Sequence, residues 1–513
     1  ERGLHLLKQI LELEHIKDSG SPVLLCINLC DEAEKKGIEI DFELLQDVLQ
    51  LPVVSCCARC PKELAHLREM IHETYGQTFN YSCLDFSPKL LAEETVRYTK
   101  VNYRRREEII DRFVTGPITG GLLMVMLLIA VFWLTMVGAN YPADLLWKGL
   151  FHLETKMAEG MLALGSPQLA VDILIYGIYR VLAWVIAVML PPMAIFFPLF
   201  TLLEDLGYLP RVAFNMDHSF QRCKACGKQC LTMAMGLGCN AAGVVGCRII
   251  DSPRERLIAI LTNTLIPCNG RFPTLITLIM LFFLGTAHGT ASASILSAFL
   301  LTGMILLGIA ATLGASWLLS HTLLKGIPSS FTLELPPYRR PQISKVIVRS
   351  IFDRTLFVLG RAVVIAAPAG LIIWLLANLY LNGQSLLNFF TGFLDPMGHL
   401  MGLDGVIRAA FILGFPANEI VLPIILMAYL QTGHLVEMND SGALLSLLTS
   451  HGWTWQTAIS MVIFCLFHWP CSTTCMTIQK ETGSFKWTAV SFLLPTLLGV
   501  SLCIAITALF RLC

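Results

Sequence analysis

The chain has 513 residues, of which 55% are hydrophobic and 14% charged, with 37 Lys and Arg set against 37 Asp and Glu and a mean hydropathy of +0.65. That composition identifies an integral membrane protein, with no nucleic-acid partner expected. The formal net charge is zero, so the information lies in how charge is distributed along the chain.

The first 110 or so residues are charged and mixed. They read as a soluble domain and not as a cleavable signal, because no short apolar core with a small-residue cleavage site opens them. Residues 22–28, Pro-Val-Leu-Leu-Cys-Ile-Asn, read as a buried strand of a parallel sheet that ends in Asn28-Leu29-Cys30-Asp31. A second strand, Leu51-Pro-Val-Val-Ser55, ends in Cys56-Cys57-Ala58. These endings resemble the guanine-specificity elements of a small GTPase, which implies that Asn28 and Asp31 read the base edge and that the Ala58 amide meets the base oxygen. Leu29 stands where that pattern has lysine, and Cys57 where it has serine. The plainer alternative is that Asn28 and Asp31 only cap a helix that follows. No Gly-x-x-x-x-Gly-Lys-Ser/Thr phosphate loop occurs. Residues 1–61 therefore look like the C-terminal part of a G domain, one not expected to hydrolyse GTP alone. Residues 62–112 read as a helical spacer with a basic end at Arg104-Arg-Arg106.

Apolar runs long enough to cross a bilayer, roughly 18–20 residues, lie near 117–138, 171–203, 256–285, 291–320, 354–381, 456–479 and 487–510. Two shorter segments, 231–247 and 405–430, are interrupted. Excess Lys and Arg mark the cytoplasmic side. Lys100, Arg104, Arg105, Arg106 and Arg112 precede the first span, and the connection at 321–354 carries Lys325, Arg339, Arg340, Lys345, Arg349 and Arg354. The connections at 286–290, 382–404 and 431–455 contain no Lys or Arg and are expected outside. Basic residues flank both ends of 231–247, whereas 405–430 lies between two connections without them. One re-entrant hairpin from each face, each followed by a Pro-broken helix, is the pattern of an inverted repeat. Two ordinary spans with glycine kinks are the alternative.

The interruptions are Gly236-Leu-Gly-Cys-Asn-Ala-Ala-Gly243 and Pro267-Cys-Asn-Gly-Arg271 in the first half, and Gly414-Phe-Pro-Ala-Asn-Glu419 and His468-Trp-Pro-Cys471 in the second. Backbone opened at membrane depth is tolerated only where it is buried or lines a cavity. Matched pairs of such breaks point to a substrate path, for which Cys239, Asn240, Cys268, Asn269, Glu419, Cys471 and Cys475 supply donors. Glu419 is the sharpest of these, since an acid in an apolar stretch is costly and faces a partner or water; pairing with Arg271 or Arg361 is its bland explanation. A lone membrane cysteine is often small apolar filler, but three of these sit at breaks. Cys475 falls one turn after Cys471, on the same helix face. His468 reads as a packing residue. Glu204 and Asp205 end a span disturbed by Pro191, Pro192 and Pro198 and could form a cytoplasmic vestibule.

A separate loop holds Cys223, Cys226 and Cys230 with His218 nearby, a compact arrangement of the kind used for soft metals or redox chemistry; reduced, unpaired thiols are the alternative. None of the 17 cysteines falls in a connection placed outside, and no disulfide framework is expected.

Taken together, Asn28 to Asp41, Leu203-Glu-Asp-Leu-Gly-Tyr-Leu-Pro-Arg-Val-Ala-Phe214, Gly236 to Arg248, Pro253-Arg-Glu-Arg-Leu257 and Lys480-Glu-Thr-Gly-Ser-Phe-Lys-Trp487 resemble the FeoB family of ferrous iron transporters. The resemblance implies a mainly α, polytopic α-helical membrane protein with two inverted Gate-type repeats, 113–320 and 354–513, joined by a cytoplasmic connection at 321–353. A partial α/β G domain and the spacer would precede them. It further implies a multi-pass protein of a prokaryotic inner (cytoplasmic) membrane with its N-terminal domain in the cytoplasm, Fe(II) as cargo, and GTP with Mg in the full-length protein. A small cytoplasmic FeoA-like protein and further copies of the chain are the protein partners left open. The rival functions are a cation-coupled nucleoside or small-solute symporter and a membrane GTPase or sensor that moves nothing.

Overall fold

The computed structural model describes residues 1–512 apart from 59, 78, 80–85, 100–102, 284–290, 327–337, 339, 340, 382 and 439. The expected external connection 286–290 lies outside the described residues, as do Lys100, Arg339, Arg340 and the side chains of Arg104, Arg105, Arg106 and Arg354. Residues 1–113 and 114–513 form two compact units.

In the first unit, the two apolar stretches expected as strands pair in parallel, Leu25–Asn28 against Val53–Cys56. Helices Arg2–Leu11 and Phe42–Leu49 bring Leu7, Leu11, Leu45 and Leu49 into a small core with Leu51, Phe86 and Leu91. Asp41 starts the second of these helices by accepting from Leu44 N at 3.0 Å. The stretch 62–112 is not uniformly helical. Between helices Pro61–Thr74, Pro88–Thr95 and Tyr103–Val114, the β-prone triplet Val96–Tyr98 forms a strand antiparallel to Ile38–Ile40. Three residues are too few to show a period of two, which is why helix seemed continuous there.

The second unit is helical, and among the described residues seven helices are long and apolar enough to cross a membrane. The first runs Thr119–Ala163, well beyond 138, because Pro142 is accommodated inside it and a polar second half continues it. Two of the seven, Pro253–Phe283 and Trp455–Thr482, are 72% buried over their most apolar stretch, against 18–28% for Thr119–Ala163, Leu296–His321 and Phe485–Arg511. The interrupted helices are therefore central, and the continuous ones turn apolar faces such as Leu122, Met126, Leu493 and Leu497 outward.

The two halves repeat one element order. Helix Gln168–Val171 passes through a π-helical stretch, Asp172–Tyr179, into Arg180–Asp205; Ile343–Arg349 passes through Ser350–Leu356 into Phe357–Asn378. Each half then carries a broken hairpin. Helices Gln229–Gly238 and Asn240–Gly246 meet at Cys239, with φ −154° and ψ 123°. In the second half Gly405–Leu413 is followed by an extended Ala417, φ −153° and ψ 117°, before the turn Asn418–Ile420 and helix Val421–Leu430. The second break of each half is extended as well, at Cys268 (ψ 168°) and at His468 and Cys471 (ψ 175° and 159°).

Close approach inside the first hairpin depends on glycine. A Cβ at Gly243 would lie 2.6 Å from Asn263 Nδ2 and 2.8 Å from Thr232 O. The backbone oxygen cannot yield, so Gly243→Ala is expected to cost about 1–3 kcal/mol, read as a lower unfolding temperature of the purified protein.

Candidate functional site

The four breaks converge on one small cavity with about 30 Å³ of room for a water-sized sphere. Cys239, Asn240, Cys268, Asn269, Glu419 and Cys471 all line it. Cys475 does not; its thiol turns back to Pro470 O at 3.7 Å, so its position one turn after Cys471 does not bring both thiols to the cavity.

Polar side chains hold the open backbone in place. In the first half Asn263 Nδ2 donates to Asn240 O at 3.1 Å. With its amide nitrogen turned inward, Asn240 donates to Gly236 O at 3.0 Å and Ile266 O at 3.2 Å. In the second half His468 is 1% exposed, with Nδ1 2.9 Å from Cys465 O and Nε2 3.2 Å from Asn418 Oδ1. Ser472 N donates to Phe415 O at 2.9 Å, tying the hairpin to the second break. His468 is thus a strut between the two breaks of its half, and Asn240 and Asn418 play matching parts.

Arg271 joins the halves. It is 1% exposed, and its guanidinium donates to Leu466 O at 2.7 Å, His468 O at 3.1 Å and Trp469 O at 3.4 Å. Leu466 O needs such a donor because Pro470, four residues on, has no N–H. Arg361 donates to Thr477 Oγ1 at 3.3 Å and lies over the Phe357 ring. Neither arginine pairs with Glu419. That carboxylate is 6% exposed, forms no ion pair among the described residues, and abuts Gly270, where a Cβ would fall onto Oε1. Arg180 does neutralise an acid, with Nη2 2.9 Å from Glu154 Oε1.

Sequence reasoning missed Met189, Met193 and Asn418, which also line the cavity. The two thioethers sit four residues apart on a helix face beside Pro191-Pro192, a spacing that signals a shared face. Asn418 was legible as the counterpart of Asn240, five residues into each Gly-x-x-x-Asn stretch. A larger chamber of about 440 Å³ shares Val358 and Thr473 with the small cavity and is lined by Glu204 and Arg361.

Cys223, Cys226, Cys230 and His218 are not drawn into one ligand set. Asp217 accepts from Gly227 N at 3.0 Å and pins the turn, His218 is exposed, and Cys230, at the start of the next helix, faces an apolar cavity. Burial pushes the Cys223 and Cys226 thiols up, away from the thiolate form that binds metal. Among the described residues no three His, Cys, Asp or Glu side chains converge closely enough to hold a metal ion. The small cavity is therefore a ring of donors without a closed cage.

In the first unit Asn28 Oδ1 accepts from Leu29 N at 2.8 Å and Ala58 N at 3.2 Å, which brings the two strand endings together. Asp31 Oδ1 is buried without a hydrogen-bond partner, while Oδ2 stands 4.0 Å from Lys35. An orphaned acceptor suits a donor edge such as the N1–H and 2-amino group of guanine.

Comparison with known proteins follows the same divisions. The family model "Ferrous iron transport protein B" matches residues 1–71, and "Ferrous iron transport protein B C terminus" matches 301–353. "Nucleoside recognition" (Gate) matches 186–282 and 359–485, each stretch holding one pair of breaks. The Fe(2+) transporter FeoB of Campylobacter jejuni is 24% identical, with 96% of this chain and 81% of the relative covered. That of Synechocystis is 26% identical, over 95% and 79%. A Porphyromonas gingivalis protein named as a fusion of Fe(2+) transport protein A and FeoB is 23% identical, over 96% and 72%. No solved structure matches the chain. Two half-repeats of broken helices, a preceding α/β unit whose strand ends are tied together, and relatives aligned along nearly the whole length place the chain in the FeoB family of ferrous iron transporters.

Proposed function

We propose that this protein carries Fe(II) into the cell across a prokaryotic cytoplasmic membrane, and that the ion passes through the small cavity where the four breaks meet. The observation that carries the reading is the set of six predicted donors around one space. Fe(II) is borderline in softness and accepts thiolate and carboxylate. Cys239, Cys268 and Cys471 offer sulfur, Asn269 and the extended backbone offer oxygen, and Met189 and Met193 add soft donors. A buried carboxylate with no ion pair among the described residues gains most from an arriving cation. Donors that surround the space without closing on it suit an ion that must leave again.

Size disfavours the symporter. Small-molecule sites occupy roughly 300 Å³ or more, whereas about 30 Å³ at the breaks admits one or two water-sized species. The inverted arrangement of residues 113–320 and 354–513 about this cavity, with the N-terminal unit in the cytoplasm, gives the ion a route inward through the chamber beside Glu204. Uptake of radioactive iron into liposomes tests the reading: Cys475→Ser is expected to keep uptake within about twofold of wild type, a difference under ~0.5 kcal/mol. A collapse of uptake in that variant would put the path elsewhere.

Residues 1–61 read a guanine base through Asn28, Asp31 and Ala58, and residues 62–112 serve as spacer. Bound GTP with Mg would supply a switch between two states of the N-terminal unit. Asp31→Asn replaces an acceptor by an amide that offers the guanine edge a donor, so affinity for GDP is expected to fall by at least tenfold, about 1.4 kcal/mol, in equilibrium binding. The fusion found in Porphyromonas gingivalis makes a small FeoA-like protein the expected cytoplasmic partner.

A further inference from the structure

We propose that Cys57 and Cys60 form a reversible disulfide, a modification site in the turn that reads the guanine base. The consequence for nucleotide rests on the guanine reading above; the bond itself does not.

Five thiols lie on the parallel strand pair or just beyond its end: Cys26, Cys30, Cys56, Cys57 and Cys60. Cys30 Sγ is engaged with Ile27 O at 3.2 Å. Cys57 and Cys60 instead bracket one tight turn, with Cys60 N donating to Cys57 O at 2.8 Å. Such a turn brings its ends within about 7 Å, and a disulfide needs Cα atoms roughly 4.4–6.8 Å apart. Cys57 is 3% exposed, while Cys60 is partly exposed at the start of helix Pro61–Thr74. A small oxidant reaches Cys60, and Cys57 completes the bond from inside.

The chemistry balances with a low-molecular-weight disulfide, RSSR. Cys60 thiolate attacks one sulfur of RSSR and expels RS⁻, which takes up a proton. Cys57 thiolate then attacks the Cys60 sulfur of the mixed disulfide and expels the second RS⁻. The protein loses two electrons and two protons, and RSSR becomes two RSH. The neighbouring Cys57 raises the Cys60 pKa, so the attacking Cys60 thiol stays protonated near neutrality and reacts slowly, as suits a switch more than a turnover catalyst.

Ala58 lies inside the ring this bond closes. Its amide donates to Asn28 Oδ1 at 3.2 Å, and a closed ring holds it there, away from a base oxygen. The oxidised turn therefore reads guanine more weakly.

The test incubates the full chain in detergent with oxidised glutathione, maps the thiols by mass spectrometry, and measures affinity for fluorescent GDP. The expected result is an internal Cys57–Cys60 link reversed by dithiothreitol, with GDP affinity lowered about fivefold or more by oxidation. Cys60→Ser, or Cys57→Ser should the first fold poorly, is expected to keep its affinity under oxidation. Free thiols, separate glutathione adducts on both residues, or a link from either to Cys30 would overturn the proposal. A mapped link with unchanged GDP affinity overturns the coupling. A mapped link in a chain that binds no GDP even when reduced overturns the guanine reading and the coupling, and upholds the modification site alone.

Discussion

Arg271→Met is expected to lower stability by about 2–4 kcal/mol and to abolish iron uptake. The side chain is 1% exposed and reaches three carbonyls of the opposite half, Leu466 O, His468 O and Trp469 O. Those oxygens are free because the chain extends at His468 and because Pro470 cannot donate to Leu466. Methionine fills much of the same volume but donates nothing, which leaves the carbonyls unpaired where water is scarce. Arg271→Lys should lose less, since a single ammonium can reach one or two of the three but not in a fixed fork. Unfolding followed in detergent, with uptake into liposomes beside it, checks both. An Arg271→Met protein as stable as wild type would mean that the halves are held together by something other than this clamp.

The second large effect is expected at Gly270. A Cβ there falls onto Glu419 Oε1 and lies 2.9 Å from the carboxyl carbon, so Gly270→Ala must displace the carboxylate from the cavity wall. Uptake is expected to fall by about tenfold or more, equivalent to at least ~1.4 kcal/mol of binding, with a smaller cost in stability than at Arg271 because Glu419 has no ion pair to break among the described residues. Glu419→Gln keeps the shape and removes the charge, and should lose uptake to the same degree. The double variant Gly270→Ala with Glu419→Asp pulls the acid back by one methylene and is expected to recover part of the activity. No recovery, with both proteins folded, would indicate that Gly270 matters for backbone freedom and not for the space beside Glu419.

Much of this site was legible in the sequence, because Gly and Pro punctuate apolar helices for reasons that are local. Cys239, Cys268 and Cys471 all fall on extended backbone at the breaks, where Gly236, Gly238, Pro267 and Pro470 announce them. Side-chain direction was less legible. Cys475 shares a helix with Ser472 and Thr473, yet its thiol returns to Pro470 O, a local bond that spacing does not show. The spacing of Met189 and Met193 puts them on one helix face, but the sequence does not mark that face as the one toward the cavity. Arg271 reads from the sequence as a counter-ion for Glu419, but its two terminal nitrogens are taken up by three carbonyls of the opposite half. The Cys223 to Cys230 loop misled for the opposite reason: its spacing is compact, but the helix starting at Gln229 carries Cys230 into an apolar cavity. In the N-terminal unit the two parallel strands followed from their apolar runs, whereas Val96–Tyr98 is recognisable as a strand only once Ile38–Ile40 is there to pair with it.

X-ray absorption at the iron edge of the Fe(II)-loaded protein tests the central claim most directly. Sulfur scattering at iron is expected in the wild type and is expected to fall sharply when Cys239, Cys268 and Cys471 are all replaced by serine, leaving at most the Met189 and Met193 thioethers. A shell of oxygen and nitrogen alone, unchanged between the two proteins, would contradict passage of the ion between the broken helices.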